Sequence, residues 1–156
     1  MIDMHIQQVR NRSQRGFSLV EVLIALIIMS VGMLGIASLY VQSMQAGRTS
    51  LFRHSAVTLA GDVADRIRAN PTAVAAYEGV GANAGCIVGG TNCSNVQMAA
   101  QDILLWDLQA TDTLPNGNVT INIDNTVNPP VYTIAVTWDE PGQQQNYTFS
   151  TPVPGF

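Results

Sequence analysis

Residues 22–41 read Val22-Leu-Ile-Ala-Leu-Ile-Ile-Met-Ser-Val-Gly-Met-Leu-Gly-Ile-Ala-Ser-Leu-Tyr-Val41. The run is apolar apart from two serines and two glycines, and no charge lies between Glu21 and Arg48. At about 1.5 Å of rise per residue, a helix of this length spans the roughly 30 Å hydrocarbon core of a bilayer. Gly32 and Gly35 suit such a segment, because small residues let helices approach closely. Upstream, Arg10, Arg12 and Arg15 stand against a single Asp3. That positive excess keeps the N-terminus cytoplasmic and sends everything after Val41 across the membrane. The expectation is a membrane-anchored chain with an exported C-terminal part.

Composition agrees. Of 156 residues only 12% are charged, about half the roughly 25% usual for soluble domains. One ordinary domain is the prior at this length, and a disordered acidic chain is excluded by the high apolar content. Seven arginines, no lysine and a net charge of −4 leave no basic stripe for nucleic acid. Beyond Gly16 only Arg48, Arg53, Arg66 and Arg68 remain against a larger set of acids, so the exported part repels phosphate.

Three readings of the N-terminus compete: a plain anchor, a cleavable secretory signal with small residues at Gly35-Ile36-Ala37, and a reading that takes Glu21 seriously. A carboxylate costs about 2.5–3.5 kcal/mol at the centre of a membrane helix and less near its end. An acid at the mouth of the apolar run is therefore an odd choice for the first two. Ser18-Leu-Val-Glu21 also has capping-box spacing, which accounts for Glu21 as a helix-start residue.

The stretch Arg15-Gly16-Phe17-Ser18-Leu19-Val20-Glu21-Val22-Leu23-Ile24-Ala25-Leu26 resembles the prepilin signature of type IV pilins and type II secretion pseudopilins. The resemblance implies a leader of residues 1–16, cut by a prepilin peptidase between Gly16 and Phe17. It implies N-methylation of Phe17, and pairing of Glu21 with an N-terminal amine during filament assembly. Ser30 to Gly35, Asp65 to Pro71, the Cys86 and Cys93 pair, Met98 to Trp106, Leu114-Pro115 and Tyr132 to Trp138 are similar to the minor pilins of type IV pili. For those proteins the implied partners are the prepilin peptidase, other minor pilins, the major pilin and a tip adhesin. The implied location is the inner membrane, with the head periplasmic, and then the pilus at the cell surface. A type II secretion pseudopilin has the same leader and stays open as the alternative. A secreted periplasmic binding domain released at Ala37 is the alternative from another class.

After the apolar run, Phe52, Ala56, Leu59, Ala60, Val63 and Ile67 recur on one face of a 3.6-residue period. Arg48, Arg53, Asp62, Asp65, Arg66 and Arg68 take the other faces, with Asp62 and Arg66 spaced for an i,i+4 pair. Asn70-Pro71 ends the helix, because the residue before proline is pushed out of the α region. The fold class expected is α+β, and the resemblance implies that it is type IV pilin-like. One long helix over 17–69, its 17–41 half transmembrane and its second half amphipathic, packs on a head of residues 70–156. Within that head, residues 74–90 read as irregular. Ser94-Asn-Val-Gln97 has capping-box spacing, and Val96, Ala100, Ile103 and Trp106 or Asp107 suggest a short helix ending well before Pro115. Then the period becomes two. Val119, Ile121 and Ile123 alternate in Asn118 to Asp124, and Tyr132, Ile134, Val136 and Trp138 alternate in Val131 to Trp138. Turns follow at Asn125 to Pro130 and Asp139 to Gly142, and Tyr147 to Phe149 makes a third antiparallel strand.

Cys86 and Cys93 lie on the oxidising side, where disulfides persist. A bridge there closes a short loop and stabilises by about 2–3 kcal/mol in the chain-entropy model. The rivals are a metal site, which wants more soft ligands than the distant His54, and a reactive thiol pair, which lacks Cys-x-x-Cys spacing. A disulfide is the reading taken, with no metal and no cofactor. No enzyme is expected either. No serine sits in a nucleophile elbow, no lysine is present, and Asp102, Asp107 and Asp112 match no calcium loop and read as solvated or capping acids.

Overall fold

The computed structural model describes residues 16–87 and 92–152. Residues 1–15 of the expected leader lie outside them. The chain forms two compact units, residues 1–44 and 45–156.

In the first unit the described backbone is Gly16 to Ser18 followed by the start of helix α1, which runs Leu19–Ala69. Every large apolar side chain from Leu19 to Met44 is exposed.

The second unit holds the remainder of α1, a 3-10 helix Pro71–Glu78, α2 Asn95–Thr113, and strands β1 Asn118–Asp124, β2 Val131–Glu140 and β3 Gln143–Pro152. The strands form an antiparallel sheet in the order β1-β2-β3. Ile121 pairs with Ile134 and Ile134 with Phe149, so one row of apolar side chains crosses the sheet on its inner face. Against that face lie Ala56, Leu59, Ala60, Val63 and Ile67 of α1 and Ala99, Ile103, Trp106 and Ala110 of α2 in one buried cluster. The helix face predicted from the 3.6-residue period is the buried face, and Phe52 packs at its edge. The α+β architecture is therefore the expected one: a long N-terminal helix and a small antiparallel sheet.

Several local expectations are corrected. Helix α1 ends at Ala69 before Pro71 as predicted, but the chain read as irregular from residue 74 is regular at its start, since a 3-10 helix covers Pro71–Glu78, led by the proline at its first turn. Helix α2 reaches Thr113 instead of stopping well short of Pro115. Ala110 keeps one more turn in the core, and Leu114, directly before the proline, turns extended at φ −127 and ψ 137. Its buried face runs through Ala99, Ile103, Trp106 and Ala110, whereas Val96 is exposed. The Ser94 capping box forms in full, with reciprocal Gln97 bonds. Strand β3 is longer than Tyr147 to Phe149. Asp139 and Glu140 belong to β2, since Asp139 pairs with Gln144 and Glu140 with Gln143, leaving Pro141-Gly142 as the turn. Gly142 has φ +91, a value that favours glycine there.

Candidate functional site

At the N-terminal segment, the Ser18 carbonyl accepts from the Glu21 amide at 3.1 Å and the Val22 amide at 3.2 Å, opening the first turn of α1. Glu21 sits in that turn, where the positive end of the helix dipole favours a carboxylate. The reciprocal capping box allowed by the Ser18 and Glu21 spacing does not form. Among the described residues, neither the Ser18 hydroxyl nor the Glu21 carboxylate has a hydrogen-bond partner. Phe17 is 83% exposed, and Phe17, Glu21, Val22, Ala25, Leu26 and Met29 line an open groove of about 450 Å³. One carboxylate thus opens onto an otherwise apolar groove.

The energetics of that segment define what it can do. Leaving a leucine-sized side chain in water rather than burying it forgoes about 1.5–3 kcal/mol. The most apolar 18-residue window of α1 has a mean hydropathy of 2.6 and no buried residue, so this stretch is long and apolar enough to cross a membrane. Lipid or neighbouring helices are the environments that satisfy it. In either, an ionised Glu21 calls for a cation.

The head carries a different constellation. Arg66 Nη1 of α1 donates to Asp102 Oδ1 of α2 at 2.7 Å, and the Tyr77 hydroxyl donates to Asp102 Oδ2 at 3.3 Å. Asn70 Nδ2 donates to the Tyr77 oxygen at 3.2 Å and to the Asn95 carbonyl at 2.8 Å. Asn95 also bonds Thr72. Burial is the main reason that the Tyr77 phenol is pushed up to about 12, which keeps it a neutral donor. Tyr77 stacks on Trp106 with ring centroids 5.8 Å apart. This network fastens α1, the 3-10 helix and α2 to one another. Its acid corrects the sequence reading. Asp102 is buried, not solvated, and Arg66 pairs with it rather than with Asp62. Asp65 takes Arg68 instead, at 2.8 Å. A signal for Asp102 exists in its placement four residues before Trp106, beside the apolar stripe.

Cys86 and Cys93 are joined, with an S–S distance of 2.10 Å and Cα atoms 5.9 Å apart. The chain leading to Cys86 is held on α2, where Ala82 donates to the Ala100 carbonyl and Ala84 to Gln101 Oε1. Among the described residues no group of three or more His, Cys, Asp or Glu is placed to hold a metal ion. His54 lies exposed on α1. Asp107 is half-buried and Asp112 exposed.

A bare apolar N-terminal segment with one acid, followed by a head of helices on an antiparallel sheet, defines the type IV pilin-like class of α+β protein. Comparison with known families agrees. Residues 11–37 match the prokaryotic N-terminal methylation motif, and residues 38–104 match the family described as type IV pilin Tt1218. These adjoining matches support placement in the type IV pilin superfamily, a class of structural subunits. No curated protein and no solved structure matches the chain.

Proposed function

We propose that this chain is a minor pilin of the PilV type, a structural subunit that joins other minor pilins to prime type IV pilus assembly and to support display of a tip adhesin. In this reading a prepilin peptidase cuts between Gly16 and Phe17 and the new amine on Phe17 is methylated. Residues 17–41 hold the processed chain in the inner membrane with the head in the periplasm. The same segment then moves into the filament, packed among the helices of neighbouring pilins.

The observation that carries the reading is Glu21, a lone carboxylate without a partner among the described residues, set in the first turn of an exposed apolar helix four residues after Phe17. A buried carboxylate left unpaired costs about 3–5 kcal/mol, whereas one that faces a positively charged amine is stabilised. Glu21 therefore favours the axial position that sets it against the amine of a neighbouring subunit. A type II secretion pseudopilin has the same leader and stands as the second reading. The disulfide loop and the Arg68-Ala69-Asn70-Pro71 stretch favour the pilus.

The test compares Glu21→Gln and Glu21→Ala with the unchanged chain, reading piliation and co-purification of the other minor pilins. Both variants are expected to reach the membrane normally and to lose partners and pili. Unchanged piliation and partner recovery would show that Glu21 does not dock the subunit. Recovery with a secretion machine instead of a pilus would select the pseudopilin.

A further inference from the structure

Among the described residues strand β1 has a single sheet neighbour, β2. On its other side, Glu78 Oε1 accepts from the Ile123 amide at 2.7 Å, so that amide points away from the sheet. Backbone groups alternate in direction along an antiparallel strand, so the amides and carbonyls of Ile121 and Val119 point outward as well. Among the described residues nothing pairs with them. Glu78 closes this edge at Ile123. At the other end Gly117 abuts α2 so closely that an added Cβ would lie 2.1 Å from the Ala110 carbonyl oxygen. The open stretch is residues 119–121. Such an edge is a template for another extended chain.

A cleft of about 150 Å³ runs beside that stretch, between β1, the end of the 3-10 helix and α2. Trp106 forms part of its wall and is 2% exposed, and its buried indole Nε1 has no acceptor among the described residues. The ionisable groups on the cleft wall other than Tyr77 are Glu78 and Asp107, both acids. Burial pushes the Asp107 carboxyl up from its ordinary value, and a cation placed beside it offsets that effect.

We propose that this cleft is a docking site for an extended peptide segment of a partner protein, bearing arginine or lysine, that pairs with the edge of β1 at Val119–Ile121. Only a peptide backbone offers alternating donors and acceptors at the repeat of a strand edge. The cleft admits one side chain, and its acidic rim selects a basic neighbour. The inference stands on the head alone and does not rest on the minor-pilin reading.

The probe is a fluorescein-labelled peptide amide, Arg-Thr-Val-Thr-Val-Arg, titrated against the full chain in detergent micelles with anisotropy and amide-exchange readouts. Saturable binding is expected, with slowed exchange of the Val119 and Ile121 amides. Asp107→Arg weakens it by about tenfold, the order of effect of one reversed charge contact. Val119→Pro removes an outward donor, which an edge strand tolerates, and weakens binding to a similar degree. Asp112→Arg, away from the cleft, leaves binding unchanged, and a peptide with glutamate in place of arginine does not bind. Absent saturation, equal binding by Asp107→Arg, or binding without protection of the two amides overturns the proposal. Should Val119→Pro fail to fold, Asp107→Arg and the exchange data decide.

Discussion

The guanidinium of Arg66 sits 2.7 Å from the carboxylate of Asp102, and the two partners are buried unequally: Arg66 is half exposed while Asp102 is almost wholly covered. Removing the arginine leaves a covered carboxylate short of its main donor. Removing the acid leaves a cation that water can still reach, and a Tyr77 hydroxyl that loses its weaker, 3.3 Å acceptor while keeping the bond it accepts from Asn70. Arg66→Ala should therefore destabilise the head by about 2 kcal/mol and Asp102→Ala by about 1 kcal/mol. Denaturant melts followed by fluorescence of Trp106 and Trp138 measure both. Equal losses, or a larger loss for the acid, would count against this burial asymmetry.

Tyr77 and Tyr132 are both buried, yet only the first has a hydrogen-bond partner, since the Tyr132 hydroxyl has none among the described residues. At neutral pH, Tyr77→Phe should cost about 1 kcal/mol, whereas Tyr132→Phe should be neutral or stabilising by up to about 1 kcal/mol. In alkali the two act alike. Burial pushes both phenols up to about 12 from an ordinary 10.0. Between those values the unfolded chain releases protons that the folded head keeps, so stability that is full below pH 10 falls as pH rises towards 12. The slope is at most about 1.4 kcal/mol per pH unit for each tyrosine. Each Tyr→Phe variant should flatten the loss, which melts across that range will reveal.

Gly117 and Gly81 are fixed by close approach of backbone to backbone. A Cβ on Gly81 would lie 2.5 Å from the Leu104 amide nitrogen, and one on Gly117 would meet the Ala110 carbonyl. Neither obstacle is a side chain that can swing aside. Gly117→Ala and Gly81→Ala should each destabilise the head by about 2 kcal/mol or more. Gly61→Ala is the control, because a Cβ there meets nothing within 4 Å and alanine is the better helix former. Melts of the three variants settle the matter.

Much of the architecture was legible because it depends on local periodicity. The alternation of Val119, Ile121 and Ile123 predicted β1 to its limits, and the 3.6-residue recurrence from Phe52 to Ile67 marked the buried face of α1. Sequence says little where the deciding contact is distant or the signal small. Ala99 and Ala110 bury fully, yet alanine marks a core position weakly, so the last turn of α2 was missed. Asp102 looked solvated because its partner stands 36 residues away on another helix. Strand β3 begins with three glutamines, and only pairing with β2 extends it that far. At the N-terminal segment the residue types were plain, while the consequence of Glu21 depends on neighbours outside a single chain.

The most direct test of the account is the mature N-terminus of the protein recovered from the membrane fraction, read by intact mass and N-terminal peptide mapping. The account predicts a chain that begins at Phe17 and carries one methyl group on its amine. A chain beginning at Ser38, or an intact Met1 in a host that has the prepilin peptidase, would contradict it.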